Sequence, residues 1–216
     1  MVAMSLAHAQ ENELGWTMDS AIKQLDRQGS DLETVLAQVE IEWTGDAEGM
    51  DRIHTGRIYF NDDGDFRIAG DTPNKKVLLV EGRSLHMYDP AASQVKEVSL
   101  SRDKGRLEPF MRLGFSITGR DLDDDFLITF AGESRIGDRR TLNLQLTPKR
   151  DEVRAVVSKI DIAFDQASWL PARQVISHTS GTQTVTVSYS GTARNLDLNP
   201  ELFRDKWPKG TDKVRD

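Results

Sequence analysis

Cysteine is absent from all 216 residues, which excludes disulfide frameworks, thiolate zinc sites, thiol nucleophiles and lipid-modified cysteine among them. Long apolar runs are missing too. Nowhere do about 18 apolar residues follow one another, so no segment is built to cross a bilayer as a helix. A surplus of positive charge is also lacking: 28 Lys and Arg stand against 35 Asp and Glu, for a net charge of −7, and the electrostatic footprint of a nucleic-acid binder is not there. Catalytic and metal-binding signatures are equally scarce. The four histidines, His8, His54, His86 and His178, have no H-x-x-x-H or H-E-x-x-H spacing and each reads as a strand surface residue. Ser116, within Gly114-Phe-Ser-Ile-Thr118, lacks the closing glycine of a nucleophile elbow, and no phosphate-cradling G-x-x-x-x-G-K occurs. The acids at 61–65 and 121–125 depart from the ligand order of a calcium loop and read as solvated turns. The expectation is a protein with no catalytic residues, no metal and no cofactor.

What is present is alternation. Thr17 to Gln28 carries Met18, Ile22 and Leu25 at helical spacing, with Gly29 as its stop, and Ser30 with Glu33 has capping-box spacing for a second short turn. From Val35 to Thr44 the period becomes two: Val35, Ala37, Val39, Ile41 and Trp43 are apolar, and Gln38, Glu40, Glu42 and Thr44 are polar. Hairpin strands follow at 52–60 and 65–70 around Asn61-Asp-Asp-Gly64, then at 76–81 and 84–88 around Glu81-Gly-Arg83. Asp89-Pro90 interrupts the ladder, and 94–100 resumes it. Pro109 at a first-turn position, with apolar residues on one side, predicts a short helix over 108–116, and 118–125 reads as polar surface. Further strands are expected at 126–131, 140–147, 156–164, 172–178 and 182–190. No repeat or long linker divides the chain, so one domain is expected from residue 10 to 216. Residues 1–9 end in Ala7-His-Ala9, the small-x-small pattern of a signal peptidase site, and read as the remnant of an export signal with cleavage after Ala9. A sheet of about 11 strands is long enough that it must curl.

Three stretches resemble the periplasmic outer-membrane lipoprotein carriers of the LolA type. They are Val77-Leu-Leu-Val-Glu-Gly-Arg-Ser-Leu-His-Met-Tyr-Asp-Pro90 followed by Gln94-Val95, then Leu142-Asn-Leu-Gln-Leu-Thr-Pro148, and last Asn195-Leu-Asp-Leu-Asn-Pro-Glu-Leu-Phe203 with Trp207-Pro-Lys-Gly210. With the leading helix the likeness covers residues 17–214. It implies a mainly β fold with a few short helices, a half-open antiparallel β-barrel of about 11 strands whose helices cover a hydrophobic cavity for the acyl chains of a lipoprotein. The strand alternation independently nominates an inward apolar set: Val39, Ile41, Trp43, Ile58, Phe60, Phe66, Ile68, Leu85, Met87, Ile128, Phe130, Leu144, Ile162 and Val187. Periodicity alone does not distinguish a packed core from a cavity. The segment 108–116 would supply a lid through Phe110, Leu113 and Phe115.

In the carriers of this type an Arg-Pro after the aromatic end of the second strand holds the lid by hydrogen bonds. Here Asn61-Asp-Asp-Gly64 follows Phe60, and carboxylates cannot donate those bonds, so Arg57, Arg67 or apolar contact alone would have to hold it. The resemblance implies a monomeric periplasmic carrier moving acylated lipoproteins between inner and outer membrane, with an inner-membrane release complex and an outer-membrane acceptor as partners. A lipid- or acylated-peptide-binding sensor of the same fold is the alternative. An enzyme acting on lipid in the same cavity would need convergent acid, base and nucleophile, and the sequence offers no such set.

Overall fold

The computed structural model describes residues 15–45, 53–71, 73, 75–100, 113, 115 and 119–215. The expected signal remnant at 1–9, together with Phe110 and Ser116, lies outside the described residues. Helix α1 runs Met18–Ser30 and is opened by a reciprocal capping box. The Thr17 hydroxyl accepts from the Ser20 N–H at 3.2 Å, and the Ser20 hydroxyl accepts from the Thr17 N–H at 2.9 Å. The capping box expected at Ser30 and Glu33 does not form. Ser30 instead closes α1, donating to the Arg27 carbonyl, and the Glu33 N–H is drawn to the Asn195 side chain at 2.9 Å.

Twelve strands follow: β1 Thr34–Gly45, β2 Ile53–Asn61, β3 Phe66–Gly70, β4 Val77–Glu81, β5 Ser84–Asp89, β6 Gln94–Ser99, β7 Phe126–Ile136, β8 Arg139–Pro148, β9 Val157–Asp165, β10 Pro171–His178, β11 Gln183–Arg194 and β12 Asp212–Arg215. They form one open sheet in the order β12-β6-β5-β4-β3-β2-β1-β11-β10-β9-β8-β7. Every neighbouring pair is antiparallel except β12 with β6, which is parallel. The expected all-antiparallel sheet is thus corrected at one edge. The chain returns there after a long excursion, and its four exposed residues carry no alternation to announce a strand. The hairpin at 61–64 forms as its residues dictate: Asn61 Oδ1 accepts from the Asp65 N–H at 2.9 Å, and Gly64 takes φ of +84°.

Among the described residues three short helical elements join the strands: α2 Gly119–Asp125, α3 Asp151–Arg154 and a 3-10 turn at Pro200–Phe203. The first overlaps the stretch expected to be polar surface. Asp123, Asp124 and Asp125 are exposed as expected, but Leu122 is fully buried and seats α2 beneath the sheet's apolar face, beside α1. A single apolar residue among charges is enough to dock one turn of helix.

The register shows how the sheet is sided. One row across it reads Val98, Leu85, Val80, Phe66, Phe60, Val35, and another reads Ile41, Val187, Gln174, Ile162, Leu144, Phe130. These residues, Gln174 apart, join Ala21 and Leu25 of α1 and Leu122 of α2 in one apolar cluster. Strands from both halves of the chain therefore share a concave side, as a curled sheet requires. The ends of α1 are anchored separately. Glu133, beside the bulge in β7, accepts from Gln166 at 2.7 Å and from the Trp16 N–H at 3.5 Å. Arg194 donates to the Gln28 side chain at 2.7 Å and to the Ser168 carbonyl at 3.1 Å. Trp169, at φ of +56°, is buried and meets Trp16 edge-on at 4.8 Å.

Candidate functional site

The pleat places alternate residues on alternate faces, so the apolar phase of each strand builds the concave wall. Of the fourteen nominated residues, Val39, Ile41, Ile58, Phe60, Phe66, Ile68, Leu85, Leu144, Ile162 and Val187 are buried in the cluster, and Trp43, Met87, Ile128 and Phe130 are partly buried against it. All fourteen are brought together on one face. Two of the three lid residues reach the same place. Leu113 and Phe115 are buried there, both in turns, and the Phe115 ring stacks on Phe60 at 6.1 Å and meets Tyr189 edge-on at 5.0 Å.

Within this apolar wall lies a polar pair that the alternation did not nominate. Gln174 is fully buried between Val187 and Ile162, and its carbonyl accepts from the Tyr189 hydroxyl at 2.8 Å. The Gln174 amino group donates to the backbone carbonyl of Leu113. Because that carbonyl can only accept, the orientation of the side-chain amide is decided by chemistry. Burial pushes the Tyr189 phenol well above its ordinary pKa, so it stays a neutral donor. A signal for the pair was present: Gln174 occupies the apolar phase of β10 between Ala172 and Ile176, and Tyr189 that of β11 after Val185 and Val187.

Neither arginine expected as a lid holder reaches this face. Arg67 donates to the Leu202 carbonyl at 3.2 Å and lies 5.6 Å from the ring centre of Trp207, on the convex side. Its phase opposes that of Phe66 and Ile68, which is why it cannot turn inward. Arg57 lines a polar convex cleft of about 480 Å³ with Gln38, Glu40, Thr55, Asp71, Arg139 and Ser188. The contact to Leu113 comes instead from Gln174, an uncharged donor suited to an apolar surrounding.

The convex face of β3 to β6 is covered by residues 200–215. Trp207 stacks on Tyr88 at 5.0 Å, and its indole donates to Asp205. His86, expected at the surface, is 4% exposed and lies 3.6 Å from Asp205. Its phase is the outward one, but the C-terminal segment folds over it. Partial burial pushes the Asp205 carboxyl up, yet hydrogen bonds from Lys213 and Trp207 and the charges of His86 and Lys213 overcome this and leave it below the usual carboxylate range. Among the described residues no group of three or more His, Cys, Asp or Glu could hold a metal ion, and no helix is long and apolar enough to cross a membrane. The side chain of His54 lies outside the described residues.

Residues 23–206 match the family model described as outer membrane lipoprotein carrier protein LolA. An outer-membrane lipoprotein carrier protein of Cupriavidus taiwanensis is 28% identical over 161 residues, covering 74% of this chain and 70% of that protein. One from Nitrosomonas europaea is 26% identical over 165 residues, covering 76% and 74%. Among solved structures, an uncharacterized conserved protein of Thermus thermophilus aligns with a TM-score of 0.58 at 13% identity, over 93% of this chain and all of that one. MucB aligns with a TM-score of 0.51 at 12% identity, over 87% of this chain and 62% of that one. These structural likenesses concern the fold.

Proposed function

The chain belongs to the LolA family of outer membrane lipoprotein carrier proteins, and on that premise we propose that it is a periplasmic carrier that takes up lipoprotein acyl chains on its concave face and moves them between inner and outer membrane. The observation that carries this reading is the continuous apolar face, with Val39, Ile41, Ile58, Phe60, Leu144, Ile162 and Val187 on one cluster and Leu113 and Phe115 lying over it. An acyl chain withdrawn from water gains about 0.8 kcal/mol per CH₂, so one long chain is worth on the order of 10 kcal/mol, and a carrier must replace the membrane it leaves. The fourteen inward residues would contact the chains, Leu113 and Phe115 would be displaced from them on loading, and Phe110 would serve with them as the lid. No bond need be made or broken, so the role is carriage rather than catalysis.

The route implies export, with cleavage after Ala9 and a mature single domain from residue 10, and it implies a monomer that meets a release complex at one membrane and an acceptor at the other. The test is displacement. The folded protein is expected to bind a bis-naphthyl fluorophore and to release it to an acylated peptide but not to the same peptide without its acyl chain. Fluorophore binding that appears only on partial unfolding would overturn the reading.

A further inference from the structure

The polar groups of Gln174 and Tyr189 are out of place on an otherwise apolar wall. Of the buried polar side chains among the described residues, His86 and Thr141 belong to the opposite phase of their strands, and Gln174 is the one that faces the apolar cluster with Tyr189 beside it. A packed core at this position would be served by leucine. A buried carboxamide is tolerated only when its hydrogen bonds are made, and here both ends are engaged: the Tyr189 hydroxyl on its oxygen and the Leu113 carbonyl on its amino group.

We propose that the Gln174 amide, oriented by Tyr189, is a polar subsite for the carbonyl oxygen of an ester- or amide-linked acyl chain, taken in exchange for the Leu113 carbonyl. This rests on the acyl-chain reading above and adds a chemical preference to it. Any ligand that displaces Leu113 from the wall removes the acceptor of a fully buried donor, and a pure hydrocarbon leaves that donor unpaired at its full desolvation penalty. A chain whose carbonyl reaches the same place exchanges one C=O for another and keeps the donor satisfied. Ile162 and Val187 flank Gln174 in its row, so the hydrocarbon beyond the carbonyl meets apolar side chains on either hand. Tyr189 fixes the direction. Its hydroxyl holds the amide oxygen, which keeps the amino group aimed where Leu113 now sits. The subsite thus tells an acylated molecule from a bare hydrocarbon without gripping the length or number of its chains.

The experiment compares two lysophosphatidylcholines of equal chain length, one ester-linked and one ether-linked, by fluorophore displacement from the whole protein. The wild type is expected to prefer the ester by about 10-fold, since a site built to hydrogen-bond a group discriminates against the analogue that lacks it. Gln174→Met keeps volume and removes the donor, and should lower that preference to about 2-fold or less while ether affinity holds or rises. Tyr189→Phe, which leaves the donor but frees its orientation, should lower the preference in part. A role in packing alone would move both lipids together. Equal affinity of the wild type for ester and ether overturns the subsite and leaves the carrier reading standing, and that comparison needs no variant to fold. A preference unchanged in Gln174→Met overturns it as well. Failure of the wild type to bind either lipid overturns both readings.

Discussion

On the concave side of β3 to β5, Phe66, Ile68, Val80 and Leu85 join a cluster spanning most of the sheet, and the residues lying over it, Leu113 and Phe115, are held by ring contacts and the Gln174 hydrogen bond. On the convex side of the same strands, Arg67, Leu79, His86 and Tyr88 lie under residues 200–215. That cover is fastened differently. Arg204 pairs with Glu81 at 3.2 Å, the Asp205 N–H donates to Glu81 at 3.0 Å, Lys213 reaches Asp205 at 2.6 Å, Arg215 reaches Glu97 at 2.8 Å, and β12 adds a ladder to β6. Apolar contact is undirected, so one hydrocarbon surface can stand in for another. A ladder and charge-assisted hydrogen bonds are directed and specific, and nothing of another chemistry replaces them cheaply. One sheet thus carries a face suited to exchange and a face suited to permanence.

The sharpest way to break this contrast is in the concave cluster itself. Phe60→Ala removes a fully buried ring that stacks on Phe115 and should cost about 3–5 kcal/mol in chemical denaturation. A cost under about 1 kcal/mol would mean that this wall is not packed. On the convex side, Trp207→Ala loses the stacking on Tyr88, the Arg67 contact and the Asp205 bond, and should cost about 1–3 kcal/mol. Fluorophore affinity should stay within about 2-fold of wild type, and a larger loss would couple the two faces. Thr17→Ala breaks the capping box and should lower stability by about 1 kcal/mol, read by the denaturation midpoint, without altering lipid preference.

The smallest effect expected is a pH dependence. Asp205 lies below the ordinary carboxylate range in the folded protein, so its contribution to stability is complete above that range and is lost as pH falls through its folded value. The stability gap between wild type and Asp205→Asn should therefore narrow as pH falls from about 5 to about 3. A gap that widens toward acid would reverse the sign assigned to this carboxyl.

Much of the concave wall was readable before any contact was known. Val35, Ala37, Val39, Ile41 and Trp43 alternate with polar residues, and the pleat alone sends them to one side. The same rule carried Ile58, Phe60, Phe66 and Ile68 to that side once Asn61 and Gly64 had set the hairpin register. Gln174 and Tyr189 also fall in the apolar phase of their strands, but a nomination by apolar side chains passes over them. The rule did not say that these two would meet, because β10 and β11 can bring them together only in the register that puts Gln174 opposite Val187.

Other features had no local signal. His86 and Tyr88 occupy the outward phase of β5, and alternation assigns that phase to water. They are covered because Arg204 and Asp205 reach Glu81 across more than a hundred residues of chain. β12 is four exposed residues whose strand character comes from the free edge of β6 rather than from their own side chains. Which side chains share a face follows from residue order alone, since strand period is set by backbone geometry one residue at a time. What covers each face is settled by the assembled fold, because a cover is recruited from distant chain by the unpaired edge, the buried donor and the apolar area that the finished sheet presents.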